Sequence, residues 1–348
     1  MVRLKRVSCS GPGIRRVRSG KGFRYVDAAG TPVKDAETLQ RIRELVIPPA
    51  WEDVWICAIP NGHVQATGVD ARGRRQYRYH DAWRLQRDLE KHDRILDFAA
   101  RLPAARERMR EDLQGDGLTR TRVLACAVRL LDLGFFRIGG EQYAAENSSY
   151  GLATLLKEHV TVNRAGEITL EFPGKSGKLW QRSLAEPEVS EVVAALKRRR
   201  GGGPELLAYK DERGEWVDVK STDINGYLRE ATGGENTAKD FRTWSATVLA
   251  AIGLAVSTHA ESATARKRAV TRVVKEVADK LGNTPAVCRS SYIDPRVVDL
   301  YDDGVTIARD LEVLGEDAQY GSPAFQGPIE DAVLRLLRAP EEPVRLAG

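Results

Sequence analysis

The sequence predicts an α+β protein, in which a small β-rich N-terminal domain precedes a larger, mainly α-helical domain with a small three-stranded sheet. Three observations predict this fold class. The chain of 348 residues is long enough to bury two hydrophobic cores. Short strand-like segments with glycine-containing turns crowd residues 22–80. From residue 81, apolar side chains instead recur at three- and four-residue spacing, which is typical of helices. We therefore place the domains at residues 1–90 and 91–348.

The first domain is predicted to contain two hairpins and one further strand. GFRYVDAAGTPV predicts a hairpin that turns around Gly30, and VWICAIPNGHVQATGVD predicts another that turns around Gly62. QYRYH predicts the last strand of this region. Because successive side chains of a strand point to opposite faces, Tyr77 and Tyr79 are expected on one face.

Helices and one small sheet are predicted for the rest of the chain. The helical pattern from residue 81 is expected to break at Pro103, and a strongly apolar helix ends near Arg137. The strands VTVN, EITLEF and KLWQRSL follow, and the next helix stops at the glycines 201–203. Further helices are predicted in STDINGYLREATG, WSATVLAAIGLAV, ATARKRAVTRVVKEVADKLG and PIEDAVLRLLRAP. The third of these ends at Gly282, since glycine caps helices.

Basic residues cluster in three places, although the net charge of +5 is modest. Residues 1–24 hold eight Lys or Arg and no acid, and KRRR at 197–200 and RKR at 266–268 add two clusters. Such clusters suit a polyanion, of which nucleic acid is the commonest. The alternatives are a solvated face or a flexible basic arm.

The cysteines and histidines predict neither a metal site nor a disulfide framework. The four cysteines lie far apart without a CxxC pair, and the five histidines lack ligand spacing. No apolar run has the length of a membrane span, and the N-terminus has no signal-peptide core. We therefore expect a protein of the reducing cytoplasm.

The segment FPGKSGK, residues 172–178, contains a GKS tripeptide like that of nucleotide-binding loops. Such a loop needs a glycine five residues before Gly174, and Thr169 stands there. Both flanks are strand-like, which predicts a hairpin with Lys175 at its tip. The nucleotide loop is therefore rejected, whereas a phosphate of another kind remains a possible partner of Lys175.

Three other segments carry polar side chains beside apolar runs. LGFFRIGGEQYAAEN contains Arg137, TAKDFRTWSAT contains Arg242, and LGNTPAVCRSSYIDP contains Asn283 and Tyr292. Each has a structural explanation, because an arginine can cap helix carbonyls and a tyrosine can simply bury its ring. Together they fit the attack of a tyrosine on a DNA phosphodiester. In such a reaction two arginines would stabilise the pentavalent transition state, and a lysine would protonate the leaving oxygen.

These motifs, in this order, resemble those of the type IB DNA topoisomerases, and among them the small bacterial members, of the Deinococcus kind, that are similar to the poxvirus enzymes. The resemblance covers nearly the whole chain. IPPAWEDVWICAIPNGHVQATGVDARGRRQYRYH is similar to the N-terminal DNA-clamp domain of the family. FFRIGGEQY, FPGKSGK, KDFRTWSAT and LGNTP with SSYIDP are similar to its catalytic domain, which is of the tyrosine recombinase and type IB topoisomerase kind.

The resemblance implies a role for each residue of the constellation. Tyr292 would be the nucleophile that forms a 3′-phosphotyrosyl link. Arg137 and Arg242 would hold the scissile phosphate, and Lys175 would be the general acid for the 5′-hydroxyl. Many family members have histidine where this chain has Asn283, which donates a hydrogen bond but carries no charge. We expect Asn283 to be a transition-state donor; the alternative is that it only fills a left-handed backbone position after the helix.

The resemblance also implies that further residues, outside the reacting groups, contact DNA. They are Gln65, Tyr77, Tyr79, Tyr143 and Lys239.

The function implied is the relaxation of supercoiled duplex DNA by transient single-strand cleavage, strand rotation and religation. We expect it to need neither ATP, nor metal, nor another cofactor, and to be carried out by a monomer whose two domains close around the DNA. A tyrosine recombinase or integrase is the first alternative, although FRTWSAT lacks the histidine that recombinases commonly carry in this motif. A non-catalytic DNA-binding protein of the same fold is the second.

Overall fold

The structure is a computed structural model that describes residues 3–257, 262–314 and 326–338, apart from the side chains of Leu89, Gln142, Tyr143 and Ser176. The chain divides into two compact units, Met1–Asp93 and Arg94–Gly348. The first unit contains a five-stranded sheet, and the second is mostly helical with a three-stranded sheet. The predicted α+β fold class is thus confirmed.

The N-terminal unit is built on an antiparallel sheet of five strands. Its elements are β1 (Ile14–Ser19), β2 (Gly22–Val26), α1 (Ala36–Glu44), β3 (Glu52–Ile56), β4 (Val64–Val69) and β5 (Arg75–Tyr79). The strand order in the sheet is β2-β1-β3-β4-β5. Helix α1 is amphipathic, and its buried Ile42 packs with Ile14, Val54, Ile56 and Ala66 of the sheet. This small core supports one face of the sheet.

The two predicted hairpins have different outcomes. Strands β3 and β4 pair antiparallel around the loop that contains Gly62, as predicted. The turn at Gly30 also forms, because the carboxylate of Asp27 accepts from two backbone N–H groups of the turn. The chain after it adds only one bridge, between Val26 and Pro32, so this segment is a turn rather than a full hairpin.

The main partner of β2 is β1, which the sequence did not predict as a strand. Residues 14–19 read IRRVRS, and with three arginines in six residues this segment belongs to the basic cluster, for which a flexible arm is one alternative. The structure pairs all six residues of β1 in the sheet with β2 or β3. Arg16 donates to the carbonyl oxygens of Pro48 and Trp51, at 3.1 and 2.5 Å. Part of the N-terminal basic cluster is therefore structural.

The second unit surrounds two buried helices. After α2 (Asp81–Leu113), the elements are α3 (Arg120–Gly134), α4 (Glu141–Asn147), β6 (Val160–Val162), β7 (Glu167–Pro173), β8 (Leu179–Ala185), α5 (Pro187–Arg198), β9 (Ala208–Lys210), β10 (Trp216–Asp218), α6 (Ser221–Thr232), α7 (Ala238–Ala255), α8 (Ala263–Leu281), α9 (Pro285–Ser291), α10 (Pro295–Asp302), α11 (Ala308–Leu314) and α12 (Pro328–Arg338). Helices α3 and α7 pack against each other and bury most of their residues. None of the described helices has the length and apolar character that crossing a bilayer requires.

The predicted break at Pro103 is wrong, since α2 continues through it. A proline inside a helix removes one backbone hydrogen bond and costs about 3 kcal/mol. The residues around it offset this cost, because Phe98, Leu102, Ala105 and Met109 are all buried on one side of the helix. Tertiary packing therefore decided the length of α2.

The KRRR cluster is also partly structural. Lys197 donates to the carbonyl oxygens of Lys157 and Val160, at 3.0 and 2.5 Å. Arg199 is buried, and its guanidinium donates to carbonyl oxygens of the loop that follows α5. Lys197 therefore holds the chain at the start of β6 and Arg199 holds the loop after α5, so two of the four cations are structural.

A buried ionic network joins α3 and α7 to their neighbours. Asp132 of α3 accepts from Arg106 of α2 at 2.8 and 2.9 Å and from Arg129 at 2.5 Å. Glu330 of α12 accepts from the same Arg106 and from Trp244 of α7, the latter at 2.8 Å. Burial raises the pKa of Asp132, but the charges and hydrogen bonds of Arg106 and Arg129 outweigh it and lower this pKa.

We predict that Asp132→Asn lowers the free energy of unfolding by about 2 kcal/mol, because Arg106 and Arg129 lose the buried carboxylate that they share. Among the described residues, the two arginines keep Glu330 and Glu186 as charged partners. A carboxyl whose pKa is depressed by folding stabilises the protein above its unfolded pKa of about 4, and this contribution is lost as the pH falls further. The deficit of the variant should therefore shrink below about pH 4. Chemical denaturation across this pH range measures it. Asp310→Asn, which removes one partner of a more exposed ion pair with Arg335, is the control and should cost about 1 kcal/mol or less. Equal losses in both variants would contradict the role of the network.

Candidate active site

The end of helix α8 lies at the centre of the predicted site. The last carbonyls of a helix have no partner within the helix and form its negative end. Three successive carbonyl oxygens here accept from three different arginine side chains. The pairs are Lys280 with Arg182 at 2.6 Å, Leu281 with Arg242 at 2.7 Å, and Gly282 with Arg137 at 2.9 Å. The helix end thereby gathers guanidinium groups from three separate elements.

Arg242 lies in the first turns of α7 and is 3 % exposed. Besides Leu281, it donates to the carbonyl oxygen of Phe135, which follows α3 in a left-handed conformation. Burial and the charge of Arg137 lower the pKa of Arg242 to about 10, and Tyr292 opposes part of this shift. The guanidinium remains charged at neutral pH, and each of its two terminal nitrogens is held by a backbone carbonyl.

Arg137 lies beyond the end of α3 and is half-buried. The buried ring of Phe136 fixes the chain just before it. One terminal nitrogen of Arg137 donates to the carbonyl of Gly282 and, at 2.6 Å, to Oδ1 of Asn283. Burial lowers the pKa of Arg137, and Tyr292 opposes this effect. Its other N–H groups have no acceptor among the described residues, which leaves them for a ligand.

Asn283 presents a donor to the same place. Its Oδ1 accepts from Arg137, which fixes the orientation of the amide. Its Nδ2 is buried and has no hydrogen-bond partner among the described atoms. A buried donor left unpaired costs about 1–3 kcal/mol, so this atom suits an acceptor brought by a ligand. Gly282, at φ 60°, occupies the left-handed position and Asn283 does not, so the alternative backbone role for the asparagine is wrong.

Tyr292 joins this group through α7. It follows α9, and its backbone N–H donates to the carbonyl of Cys288 at 3.0 Å. The hydroxyl of Thr247, on α7, donates to the backbone carbonyl of Tyr292 at 3.3 Å. The ring centre lies 5.3 Å from the guanidinium carbon of Arg242. The structure therefore brings Tyr292, Arg242, Arg137 and Asn283 together.

Lys175 lies at the tip of the β7–β8 hairpin, as predicted. The two strands pair antiparallel up to Pro173 and Leu179, and a 3₁₀ turn, Lys175–Gly177, connects them. The side chain is exposed and forms neither a hydrogen bond nor an ion pair with the described residues. It is thus a cation on a short connection, free to meet an external group.

Two further predicted residues lie on elements of the same unit. Lys239 is exposed, three residues before Arg242 in α7, which places it one turn away along the helix. Tyr143 belongs to α4, but its side chain lies outside the described residues.

The predicted DNA contacts of the N-terminal unit line one groove of about 620 Å³. Tyr77 and Tyr79 project from β5, 46 % and 41 % exposed, with stacked rings 5.9 Å apart. This confirms that they share a face of the strand. Three arginines also line the groove, Arg41, Arg78 and Arg84, together with the carboxylates of Glu44 and Asp81. Aromatic faces among guanidinium groups suit a polyanion that also offers stacking surfaces.

Gln65 lies at the base of this groove and is only 4 % exposed. Its Nε2 donates to the carbonyls of Pro60 and Gly62, at 2.9 and 2.7 Å, and its Oε1 accepts from Arg41 at 2.7 Å. The amide is thus satisfied within the protein, and a contact with a base would cost one of these bonds. Arg41, which was not predicted, is held at the groove by Gln65; no sequence signal distinguishes it from Arg43, the other arginine of α1.

Trp180 and Arg182 were not predicted either, although a signal for them exists. They alternate along β8 with exposed residues, so both project from the inner face of the strand. This pattern in KLWQRSL marks an inward-facing pair beside the Lys175 hairpin.

Comparison with known proteins gives one consistent result. Residues 80–309 match the family model described as eukaryotic DNA topoisomerase I, catalytic core, and residues 22–70 match bacterial DNA topoisomerase IB, N-terminal domain. The chain is similar to DNA topoisomerase 1B of Acanthamoeba polyphaga mimivirus, with 32 % identity over 83 % of this chain and 87 % of the relative. It is also similar to DNA topoisomerase 1B of Vaccinia virus (strain Copenhagen) and DNA topoisomerase I of Monkeypox virus, each with 22 % identity over 77 % of this chain and 82 % of the relative.

We predict that Gly282→Ala lowers the free energy of unfolding much more than the same substitution at Gly233. A Cβ at Gly282 would lie 2.3 Å from Cζ3 of Trp180, on a backbone that already has φ 60°. Gly233 caps α6 at φ 62° with nothing within 4 Å of the added atom, so Gly233→Ala is a matched control for backbone strain alone.

Gly233→Ala should cost about 1 kcal/mol, and Gly282→Ala about 1–3 kcal/mol more, because the overlap with the indole adds to the strain. Thermal and chemical unfolding of both variants measures the difference. Equal losses of stability would show that the α8 turn can move away from Trp180.

Proposed function

This chain belongs to the type IB DNA topoisomerase family, and on that premise we propose that Tyr292 attacks a DNA phosphodiester and forms a 3′-phosphotyrosyl link. One observation carries this assignment: the end of α8 holds Arg137 and Arg242 beside the ring of Tyr292, 5.3 Å from the Arg242 guanidinium. A phosphate bound by Arg137 and Arg242 would lie close to Tyr292, whose phenolate oxygen could then attack phosphorus.

The arginines and Asn283 stabilise the transition state. The pentavalent phosphorus carries extra negative charge on its non-bridging oxygens, and guanidinium groups supply paired donors that stay charged. Asn283 Nδ2, which lacks a partner among the described atoms, donates to one of these oxygens. Since Oδ1 of the same amide accepts from Arg137, this hydrogen bond fixes the Asn283 amide relative to the Arg137 guanidinium.

Lys175 supplies the proton for the leaving group. Tyr292 first releases its phenol proton to water. As the bond between its phenolate oxygen and phosphorus forms, the bond from phosphorus to the 5′-oxygen breaks, and this oxygen takes a proton from Lys175. Religation is the reverse: the 5′-hydroxyl returns its proton to Lys175, attacks phosphorus and expels Tyr292 as a phenolate, which takes a proton from water. One phosphoester replaces another in each step, so bond energy is retained and the torque of supercoiling sets the direction.

The whole chain takes part in this proposal. Residues 1–90 form the DNA-clamp domain, and residues 91–348 form the catalytic domain. Tyr77, Tyr79 and the Gln65–Arg41 pair meet DNA in the N-terminal groove, while Lys239 and Tyr143 meet it near the scissile phosphate. Most of these contacts go to the sugar-phosphate backbone, so DNA binding weakens steeply as salt is added.

The remaining features follow from the same proposal. The protein acts as a monomer on duplex DNA, in the cytoplasm at the nucleoid, without ATP, metal or another cofactor. The match of residues 22–70 to a bacterial N-terminal domain supports kinship with small bacterial enzymes of the Deinococcus kind.

Relaxation of a supercoiled plasmid in EDTA without ATP tests the nucleophile. Wild type should relax the plasmid and become linked to a 3′ DNA end, whereas Tyr292→Phe should do neither, since it lacks the attacking oxygen. Tyr209→Phe, a half-buried tyrosine of β9, is the control and should behave as wild type. Relaxation by Tyr292→Phe would remove Tyr292 from the mechanism. DNA binding without cleavage by wild type would favour a recombinase or a binding protein.

Lys175→Ala should slow cleavage about 100- to 10,000-fold on ordinary DNA, because the leaving oxygen then departs unprotonated. After a cleavage site has been mapped with wild type, a duplex with sulfur in place of the 5′-bridging oxygen should restore most of the rate, since a thiolate needs no proton to leave. Lys178→Ala, an exposed lysine of the same hairpin, is the control. A Lys175→Ala defect that sulfur leaves unchanged would exclude the general-acid role.

A further inference from the structure

Strand β8 connects the hairpin of Lys175 directly to the turn that holds the arginines. Lys175 lies five residues before Trp180, and β8 carries Trp180 and Arg182 on its inner face. Both side chains reach the end of α8. The indole of Trp180 packs so closely on Gly282 that no Cβ fits between them. Arg182 donates to the carbonyl of Lys280 at 2.6 Å.

Arg182 also contacts two aromatic rings. Its guanidinium carbon lies 5.4 Å from the ring centre of Trp180 and 5.6 Å from that of Phe135. Both distances are within the range of cation–π attraction. Phe135 is the residue whose carbonyl accepts from Arg242. Arg182 therefore touches β8, the end of α3 and the end of α8 at once.

The turn after α8 controls both proposed phosphate-binding arginines. Leu281 supplies an acceptor to Arg242, and Gly282 supplies one to Arg137. A displacement of this turn would therefore move both guanidinium groups together with Asn283. A misplacement of about 1 Å in an active site can cost about 100-fold in rate, so whatever fixes the turn has a large effect on the chemistry.

We infer that Trp180 and Arg182 are positioning residues, which fix the α8 turn relative to the Lys175 hairpin and so set the general acid and the arginines in one geometry. This inference rests on the proposed function. Neither side chain is assigned contact with the reacting atoms; they act through the Lys280–Asn283 backbone and through β8.

The test is single-turnover cleavage of a duplex with a mapped site, by Arg182→Met and Arg182→Lys. Arg182→Met keeps an apolar stem but loses the donor to Lys280, and should cleave about 10- to 100-fold more slowly. Arg182→Lys retains a donor and a cation, and should recover much of this loss. Gln181→Ala and Ser183→Ala, on the exposed face of the same strand, are controls that should cleave like wild type.

Two further readouts separate positioning from a general loss of stability. DNA affinity, measured in the Tyr292→Phe background, should change less than about threefold. A 5′-bridging sulfur should restore only part of the Arg182→Met rate, because it removes the need for Lys175 but not for the arginines. If Arg182→Met is unfolded at the assay temperature, Trp180→Phe replaces it, with the same expected pattern.

A wild-type cleavage rate in the folded variants would overturn the inference, and so would a loss of rate matched by an equal loss of DNA affinity. Complete restoration by sulfur would overturn the link to the arginines. These results are distinguishable from failure of the proposed function, in which wild type itself forms no covalent complex through Tyr292.

Discussion

The unsatisfied carbonyls at the end of helix α8 are the constraint on which the site depends. A helix cannot use its last acceptors, and here Arg182, Arg242 and Arg137 take three of them in succession. Because these arginines come from β8, α7 and the segment after α3, one helix terminus fixes the mutual positions of three elements. The negative end of the helix also reduces the repulsion among the guanidinium groups that it gathers.

This concentration of charge needs rigid support, because burial lowers the pKa of Arg137 and of Arg242 and so opposes their charged forms. Helices α3 and α7 provide this support. Trp244, two residues after Arg242 on α7, donates to Glu330, and Asp132, near the end of α3, binds the Arg106 that also binds Glu330. The buried ionic network and the arginine cluster at the end of α8 therefore share their scaffold, which fixes the cluster in the absence of a ligand.

The N-terminal unit shows a different relation between a predicted residue and its role. Gln65 is buried with its amide fully engaged, while Tyr77 and Tyr79 are open to solvent. The glutamine is thus suited to hold Arg41 at the groove, and the exposed tyrosine rings are suited to contact a ligand in the groove directly. Alternation along β5 was enough to predict that the two tyrosines share one face of the strand. Gln65 is buried because nearly all of β4 is buried, and no pattern in the sequence of β4 indicates that this polar side chain faces inward.

The sequence by itself determined the fold class, the hairpin that presents Lys175 and the segments that carry Arg137, Arg242, Asn283 and Tyr292, because hydrophobic periodicity, turn residues and motif spacing are local properties. Tertiary structure decided what depends on contacts between distant segments. It carried α2 through Pro103, turned the basic segment 14–19 into a strand, and buried part of the KRRR cluster. It also decided that three arginines meet one helix end, since the hydrogen bonds from Arg137 and Arg182 to the α8 turn span 145 and 98 residues of chain.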